Sequence, residues 1–214
     1  MKKIRVLITA GPTREFIDPV RYISNASSGQ MGFALAEAAN KLGAHVTLIA
    51  GHVNLATPHG VKQLDVTTFD EMLRTVKKYF PKSDVIFMSA AVSDFTPLAY
   101  SKNKIKYKNT KKPLSLRLKV NSDILKLLGK IKQDHQIIAG FALETKDLEK
   151  NALTKLKDKN CDWIIANTAS AIGKQSSKLI LFSKSGEKIV LPKLPKQESA
   201  LLILSYVLKN LQSP

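Results

Sequence analysis

Apolar residues recur in two rhythms along this chain. Residues 4–10 and 45–50 are short, mostly apolar runs that read as strands covered on both faces. Residues 32–42 instead place alanines and leucines at helical spacing and stop at Gly43, a C-cap residue. The alternation continues with a strand over 61–66, a helix over 68–80 opened by Thr68 with acidic residues in its first turn, and an apolar strand over 84–91. Strands and helices that take turns in this way predict a parallel sheet with helices on both faces.

The middle of the chain breaks the rhythm. Residues 93–112 are loop-like and basic, and 114–120 (Leu-Ser-Leu-Arg-Leu-Lys-Val) alternates with period two, as a strand exposed on one face does. Residues 93–120 therefore read as a flap, or arm, added to the sheet. Asn121 or Ser122 is expected to cap a helix reaching Ile131, after which a strand over 136–142, a Lys-rich helix over 146–159 and a strand over 162–166 resume the α/β pattern. Residues 179–182 and 188–191 flank Ser183-Lys-Ser-Gly186 as a hairpin, and an amphipathic helix over 198–211 closes the chain. No repeat or Gly/Ser linker divides it. The expectation is one domain over 1–214: an α/β, Rossmann-like, mainly parallel sheet with helices on both faces, plus a basic flap and a C-terminal hairpin and helix.

Composition narrows the function. The 214 residues are 44% hydrophobic and 24% charged, enough to build a core that removes roughly 70% of the unfolded surface from water. A formal charge of +17 favours an anionic partner: nucleic acid, acidic headgroups or a small polyanion such as a nucleotide. The lysines are scattered, arginine is scarce and no helix carries a basic stripe with interleaved aromatics, so nucleic acid is not the expected partner; solvated lysines are the plain alternative. Cys161 is the only cysteine, which leaves no internal disulfide or Cys-based metal site and fits a reducing cytoplasm; its apolar neighbours suggest a buried thiol. No apolar run approaches the roughly 18 residues a membrane span needs, so a cytoplasmic protein is expected.

Candidate chemistry concentrates in a few segments. Between the first strand and first helix lies TAGPTREFIDPVRYISNASSGQMG, residues 9–32. A dinucleotide turn needs G-x-G-x-x-G there and an acidic residue ending the second strand. Only Gly29-x-x-Gly32 is present and the second strand ends in Ala50-Gly51, which disfavours NAD. The loop still suits an anion: Gly11 lets backbone approach a ligand, while Ser27, Ser28 and Gly29 place hydroxyls and N–H groups at the helix N-terminus. The insert adds Arg14, Asp18, Arg21 and Asn25. Loops this long inside compact domains are usually functional, although an ordinary surface loop is the bland reading. Ser89-Ala-Ala-Val-Ser-Asp94 follows a buried strand at the edge where open α/β sheets bind ligands. Its alanines admit a flat ring, and Asp94 could hold Mg²⁺ or a hydroxyl, or merely make a turn.

Two lysine groups remain. Lys104, Lys106 and Lys108 share one face of an extended flap, fit for a polyphosphate or for solvent. Lys155 and Lys159 are neighbours on one helix face and repel each other unless an anion, or solvent at the helix end, relieves them. Metalloprotease, P-loop and nucleophile-elbow motifs are absent, and His45, His52, His59 and His135 lack metal-ligand spacing.

Taken together, residues 9–51 with SAAVSDF, the K-I-K flap, NSDIL and GFALET resemble phosphopantothenoylcysteine synthetase, the ligase family of coenzyme A biosynthesis, over essentially the whole chain. The resemblance implies that 4′-phosphopantothenate is joined to L-cysteine through an acyl-cytidylate, with CTP and Mg²⁺. It implies that Asn25 orients the pantothenoyl carbonyl and that Lys104 contacts the triphosphate. Arg21, Ser27, Ser28 and Gly29 fall with Asn25 in the substrate loop. By the same carry-over Ser89, Ala90 and Asp94 line the nucleotide and metal site, Asn121, Ser122, Asp123 and Ile124 form a nucleotide-binding helix start, Phe141 faces the base, and Lys155 and Lys159 contact nucleotide. Three positions depart from the family pattern: Tyr107 replaces a lysine beside Lys108, Ser122 replaces a proline, and 170–177 lacks an Asp/Asn-rich stretch. The resemblance further implies a homodimer and a separate phosphopantothenoylcysteine decarboxylase downstream. The competing readings are an NAD(P)-dependent reductase and a nucleotide- or nucleic-acid-binding module without ligase activity.

Overall fold

The computed structural model describes residues 3–106, 114–168 and 176–209. Its elements, in chain order, are β1 (Arg5–Ala10), β2 (Arg14–Phe16), β3 (Tyr22–Ser24), α1 (Gln30–Lys41), β4 (His45–Ala50), β5 (Lys62–Asp65) and α2 (Phe69–Tyr79). Next come β6 (Val85–Met88), β7 (Phe95–Pro97), β8 (Leu118–Val120), α3 (Ile124–Ile131), β9 (Ile137–Glu144), α4 (Leu148–Asp158) and β10 (Trp163–Thr168). The chain closes with β11 (Ser176–Ser177), β12 (Ile180–Ser183), β13 (Lys188–Val190), β14 (Leu194–Pro195) and α5 (Lys196–Lys209).

Eight strands form one sheet in the order β13-β12-β10-β9-β6-β1-β4-β5. The six from β5 to β10 are parallel, and the β12–β13 hairpin adds antiparallel to β10. This is the expected α/β architecture, with the hairpin lying on the main sheet. Val6 pairs with Val46 on one side and Val85 on the other. The chain thus winds outward from β1 through β4 to β5, then crosses back to β6. That reversal opens a crevice beyond the carboxyl ends of β1 and β6, where sheets of this kind bind ligands.

Period-two alternation splits the core into two layers. Val6, Ile8 and Ala10 of β1 pack with Phe33 and Leu35 of α1 and Ile203, Leu204 and Val207 of α5. Leu7 faces the opposite layer, with Met72 and Val76 of α2, Leu128 of α3 and Leu156 of α4. Helix α2 starts from a capping box, in which the Thr68 hydroxyl accepts from the Glu71 N–H and the Glu71 carboxylate accepts from the Thr68 N–H. No helix among the described residues is long and apolar enough to cross a membrane.

Four local expectations change. The insert after β1 contains an antiparallel hairpin, β2–β3, joined through residues 17–21. Strand β6 ends at Met88, short of residue 91, because the chain then turns toward β1: the Ala90 N–H bonds the Thr9 hydroxyl and the Ala91 N–H bonds the Gly11 carbonyl. Only Leu118–Val120 of the 114–120 segment pairs as a strand, against β7. Asp123, rather than Asn121 or Ser122, caps α3 by accepting from the Lys126 N–H at 2.9 Å. Tyr107 and Lys108 of the flap, and 170–175 of the departing segment, lie outside the described residues.

Candidate active site

Segment 89–94 leaves β6 and is fixed to β1 and its following loop. Besides the two bonds just described, the Ser93 N–H donates to the Thr13 hydroxyl at 3.0 Å. Asn25, from the insert, completes the attachment, its Nδ2 donating to the carbonyls of Ala91 at 3.2 Å and Val92 at 3.1 Å. A residue singled out from the loop and a segment singled out from the middle of the chain are therefore in direct contact.

The loop itself is held by close backbone packing. Gly11 and Gly29 both have positive φ, and a Cβ on either would stand 2.8 Å from a Val53 methyl. Gly29 is the N-cap of α1, with no side chain capping the helix and no acidic residue in its first turn. Helix starts of this kind favour anions. The Ser27 hydroxyl accepts from the Gly29 N–H at 3.3 Å, and Ser28 is exposed beside it. Arg21 pairs with the buried Asp18 at 3.3 Å.

Below segment 89–94 lies a cavity of about 110 Å³ between β6, β9, α3 and α4. Ala90, Asp94, Ser122, Asp123, Ile124, Phe141, Lys155 and Lys159 all line it. These eight come from four separate stretches of the sequence. Ser89 and Asn121 adjoin the lining without belonging to it. The Asn121 amide donates to the Ser93 carbonyl, and its Oδ1 lies 2.9 Å from the Thr96 hydroxyl, so this side chain braces the segment. Lys104 is exposed on the flap and lies outside the lining.

The two helix lysines have different surroundings. Lys159 Nζ is 2.6 Å from Asp123 Oδ2. Burial opposes the charged form of Asp123, but the Lys159 ammonium and the Lys126 N–H outweigh it and hold the carboxyl below its usual value. Lys155 Nζ donates to the Phe141 carbonyl at 2.6 Å, and burial, reinforced by Lys159, lowers its pKa. A desolvated ammonium whose first partner is a neutral carbonyl attracts an anion strongly. Cys161, under the same helix, is buried and its thiol is pushed up to about 12.

The sequence missed Glu15. Buried in β2, its carboxylate accepts from the Phe69 N–H at the start of α2 at 2.8 Å and lies 3.1 Å from the Thr96 hydroxyl in β7. It ties the insert to both α2 and the flap, and only its place amid polar loop residues marked it. Among the described residues no group of three or more His, Cys, Asp or Glu could hold a metal ion by itself. Asp94 and Asp123 are both exposed carboxylates on the cavity, and Asp123 is ion-paired with Lys159. A larger cleft of about 670 Å³, bordered by Phe33, Glu37, Lys41, His59 and Lys196, opens on the α1 and α5 side. It contains none of the residues singled out from sequence, and convergence of polar groups identifies a site better than volume.

Residues 1–211 match the family model described as the DNA/pantothenate metabolism flavoprotein C-terminal domain. The chain is 44% identical over 187 residues to the coenzyme A biosynthesis bifunctional protein CoaBC of Vibrio cholerae, covering 86% of this chain and 47% of that protein. It is 43% identical over 207 residues to the protein of the same name from Bacillus subtilis, covering 94% of this chain and 50% of the other. The chain thus spans about half the length of these curated relatives. A crystal structure of the C-terminal domain of a coenzyme A biosynthesis bifunctional protein CoaBC superposes with a TM-score of 0.85 at 38% identity, covering 99% of this chain and 97% of that one.

Proposed function

We propose that this chain, which belongs to the DNA/pantothenate metabolism flavoprotein C-terminal domain family, is a ligase that joins 4′-phosphopantothenate to L-cysteine at the expense of CTP. The observation that carries the reading is the cavity at the sheet's crossover edge, which gathers Ala90, Asp94, Asp123, Phe141, Lys155 and Lys159 beside the Asn25 loop. The name of the C-terminal domain structure, a coenzyme A biosynthesis protein, supports it.

The phosphopantothenate carboxylate attacks the α-phosphorus of CTP, and the bond to pyrophosphate breaks to leave an acyl-cytidylate. The cysteine amine then attacks the acyl carbon, CMP departs, and the amine loses a proton. The first step brings anion to anion, so cations are the protein's main contribution. Lys155 and Lys159 supply them inside the cavity and Lys104 from the flap. The small side chain of Ala90 and the aromatic ring of Phe141 suit the base. Asn25, braced between two carbonyls, orients the pantothenoyl group. Asp94 is the residue that would hold Mg²⁺ beside the CTP phosphates, since Mg²⁺ is commonly held by one or two carboxylates plus substrate phosphates. When bound, the ion neutralises developing charge on the phosphates.

In this reading residues 1–214 form a single ligase domain in the cytoplasm, working as a homodimer. Exposed Phe95, Leu98, Tyr100, Leu118 and Val120, on the paired strands β7 and β8 and the residues just after β7, support a second copy docking there. A decarboxylase takes the product onward. The test is pyrophosphate release and CMP formation by purified protein with 4′-phosphopantothenate, Mg²⁺ and CTP or ATP, with and without L-cysteine. Turnover with CTP that needs cysteine to continue is expected; inactivity with both nucleotides overturns the ligase.

A further inference from the structure

We propose that Asp18 is a positioning residue that fixes the flap so that Lys104 meets the reacting phosphates, an inference that rests on the ligase reading above. Asp18 has no exposure to solvent. Its Oδ1 accepts from the N–H groups of Val20 and Arg21, both at 2.8 Å, which closes the β2–β3 turn. Its Oδ2 does something the turn does not need: it accepts from the N–H of Ile105 at 3.1 Å, 87 residues away. Arg21 takes the other side of the same peptide, donating from Nη2 to the Ile105 carbonyl at 2.9 Å while its Nη1 pairs with Asp18. Both backbone groups of the residue that separates Lys104 from Lys106 are thus held by one carboxylate and guanidinium pair. A third link, from the Ser101 N–H to the Ile17 carbonyl at 2.9 Å, holds the base of the same stretch.

A turn of this shape is made equally well by asparagine, whose single oxygen serves the two turn N–H groups. Burying a full negative charge is costly unless every lone pair is used, so the carboxylate is explained by the second oxygen and by Arg21. Three backbone N–H bonds and the Arg21 charge outweigh the effect of burial and keep the group ionised. The turn leads through β3 to Asn25, which is bonded to Ala91 and Val92. One piece of structure therefore carries Asn25 and clamps the stretch that bears Lys104. A clamp one residue from a cation fixes where that cation can reach, and a misplacement of about 1 Å costs a rate of the order of a hundredfold.

Asp18→Asn tests this with little change of shape. It keeps the Oδ1 bonds of the turn and turns an NH₂ toward the Ile105 N–H, donor against donor. Expected are a cooperative melt lowered by several degrees, a nucleotide KM within about threefold, and kcat for pyrophosphate release lowered about ten- to a hundredfold. Trypsin should cut after Lys104 and Lys106 faster than in the wild type, read by mass spectrometry. Placed on Lys104→Gln, the same substitution should add less than a twofold loss. An equal loss in both backgrounds, or a wild-type kcat with an unchanged trypsin pattern, overturns the proposal. Should Asp18→Asn lose its cooperative melt, replacing Ile105 by its α-hydroxy acid, which turns the amide into an ester, removes the N–H donor while keeping the side chain, and must reproduce the kcat loss, its disappearance on Lys104→Gln and the faster cleavage after Lys106. A wild-type chain that releases no pyrophosphate would count against the ligase alone, and the trypsin comparison would then decide the clamp.

Discussion

Replacing Gly129 with alanine sets two physical effects against each other. Gly129 lies in α3, where alanine is worth about 1 kcal/mol more than glycine by helix propensity. Yet a Cβ there would stand 2.8 Å from the carbonyl carbon of Lys159, at the end of α4, with the carbonyl oxygen nearer still. Carbons in contact keep about 3.5–4.0 Å apart, so α3 and α4 must separate by roughly an ångström. Overpacking of this kind costs about 1–3 kcal/mol. The obstacle is backbone and cannot rotate aside, which places the cost in the upper part of that range. The net effect is a destabilisation of about 1–2 kcal/mol, and at about 2–4 °C per kcal/mol for a chain of this size the melting temperature should fall by about 2–8 °C. Parting the helices also strains the Lys159–Asp123 pair and the Asn160 amide bond to the Gly129 carbonyl, so CTP binding should weaken as well. Thermal unfolding followed by circular dichroism, with CTP titration by calorimetry, measures both. A variant that melts at or above the wild type would show that propensity wins, and would refute the close approach of α3 to α4 at the base of the cavity.

Three further outcomes are expected. Asn25→Asp opposes a carboxylate to the Ala91 and Val92 carbonyls it now bonds; conversion of the acyl-cytidylate should slow at least tenfold with pyrophosphate release less affected, and unchanged conversion in single-turnover assays would remove the residue from that step. Lys155→Met removes a desolvated ammonium, so the melting temperature should change little while the CTP KM rises by about tenfold or more; an unaltered KM would place the lysine outside the nucleotide site. The Asp123 carboxyl titrates below its unfolded value near 4. Its stabilisation is therefore complete above that value and disappears as pH falls through the lowered one. The melting gap between wild type and Asp123→Asn should be constant from pH 8 to 5 and close toward pH 3, and a gap that widens in acid would reverse the sign.

The sheet was legible because parallel strands covered on both faces must read as continuous apolar runs, and the helices because Thr68 and Gly43 mark their ends. What escaped depends on contacts between distant segments. Strand β6 ends at Met88 because the Thr9 hydroxyl and the Gly11 carbonyl draw the next residues away, although Ser89-Ala-Ala is as strand-compatible as what precedes it. The β2–β3 hairpin has three-residue strands, too short for a period, and only Asp18-Pro19 hinted at its turn. Asn121 and Ser122 are both good caps by composition, but Thr96 and the Ser93 carbonyl occupy Asn121, and Asp123 takes the cap. The candidate site residues rest on resemblance more than on spacing: Lys155 and Lys159 alone look like solvated lysines, and only the nearness of Asp123 and Phe141 sets them apart.

The buried thiol of Cys161 has a consequence for an enzyme whose proposed co-substrate is itself a thiol. Attack on a disulfide requires a thiolate with access to its target. Cys161 is the only cysteine of the chain, buried and titrating near 12, so it meets neither condition. When the cysteine pool oxidises to cystine, a protein with an exposed low-pKa thiol would be capped by its own substrate as a mixed disulfide. This one offers cystine no point of attack, and the ligase would slow only as free cysteine runs short, recovering at once when the pool is reduced.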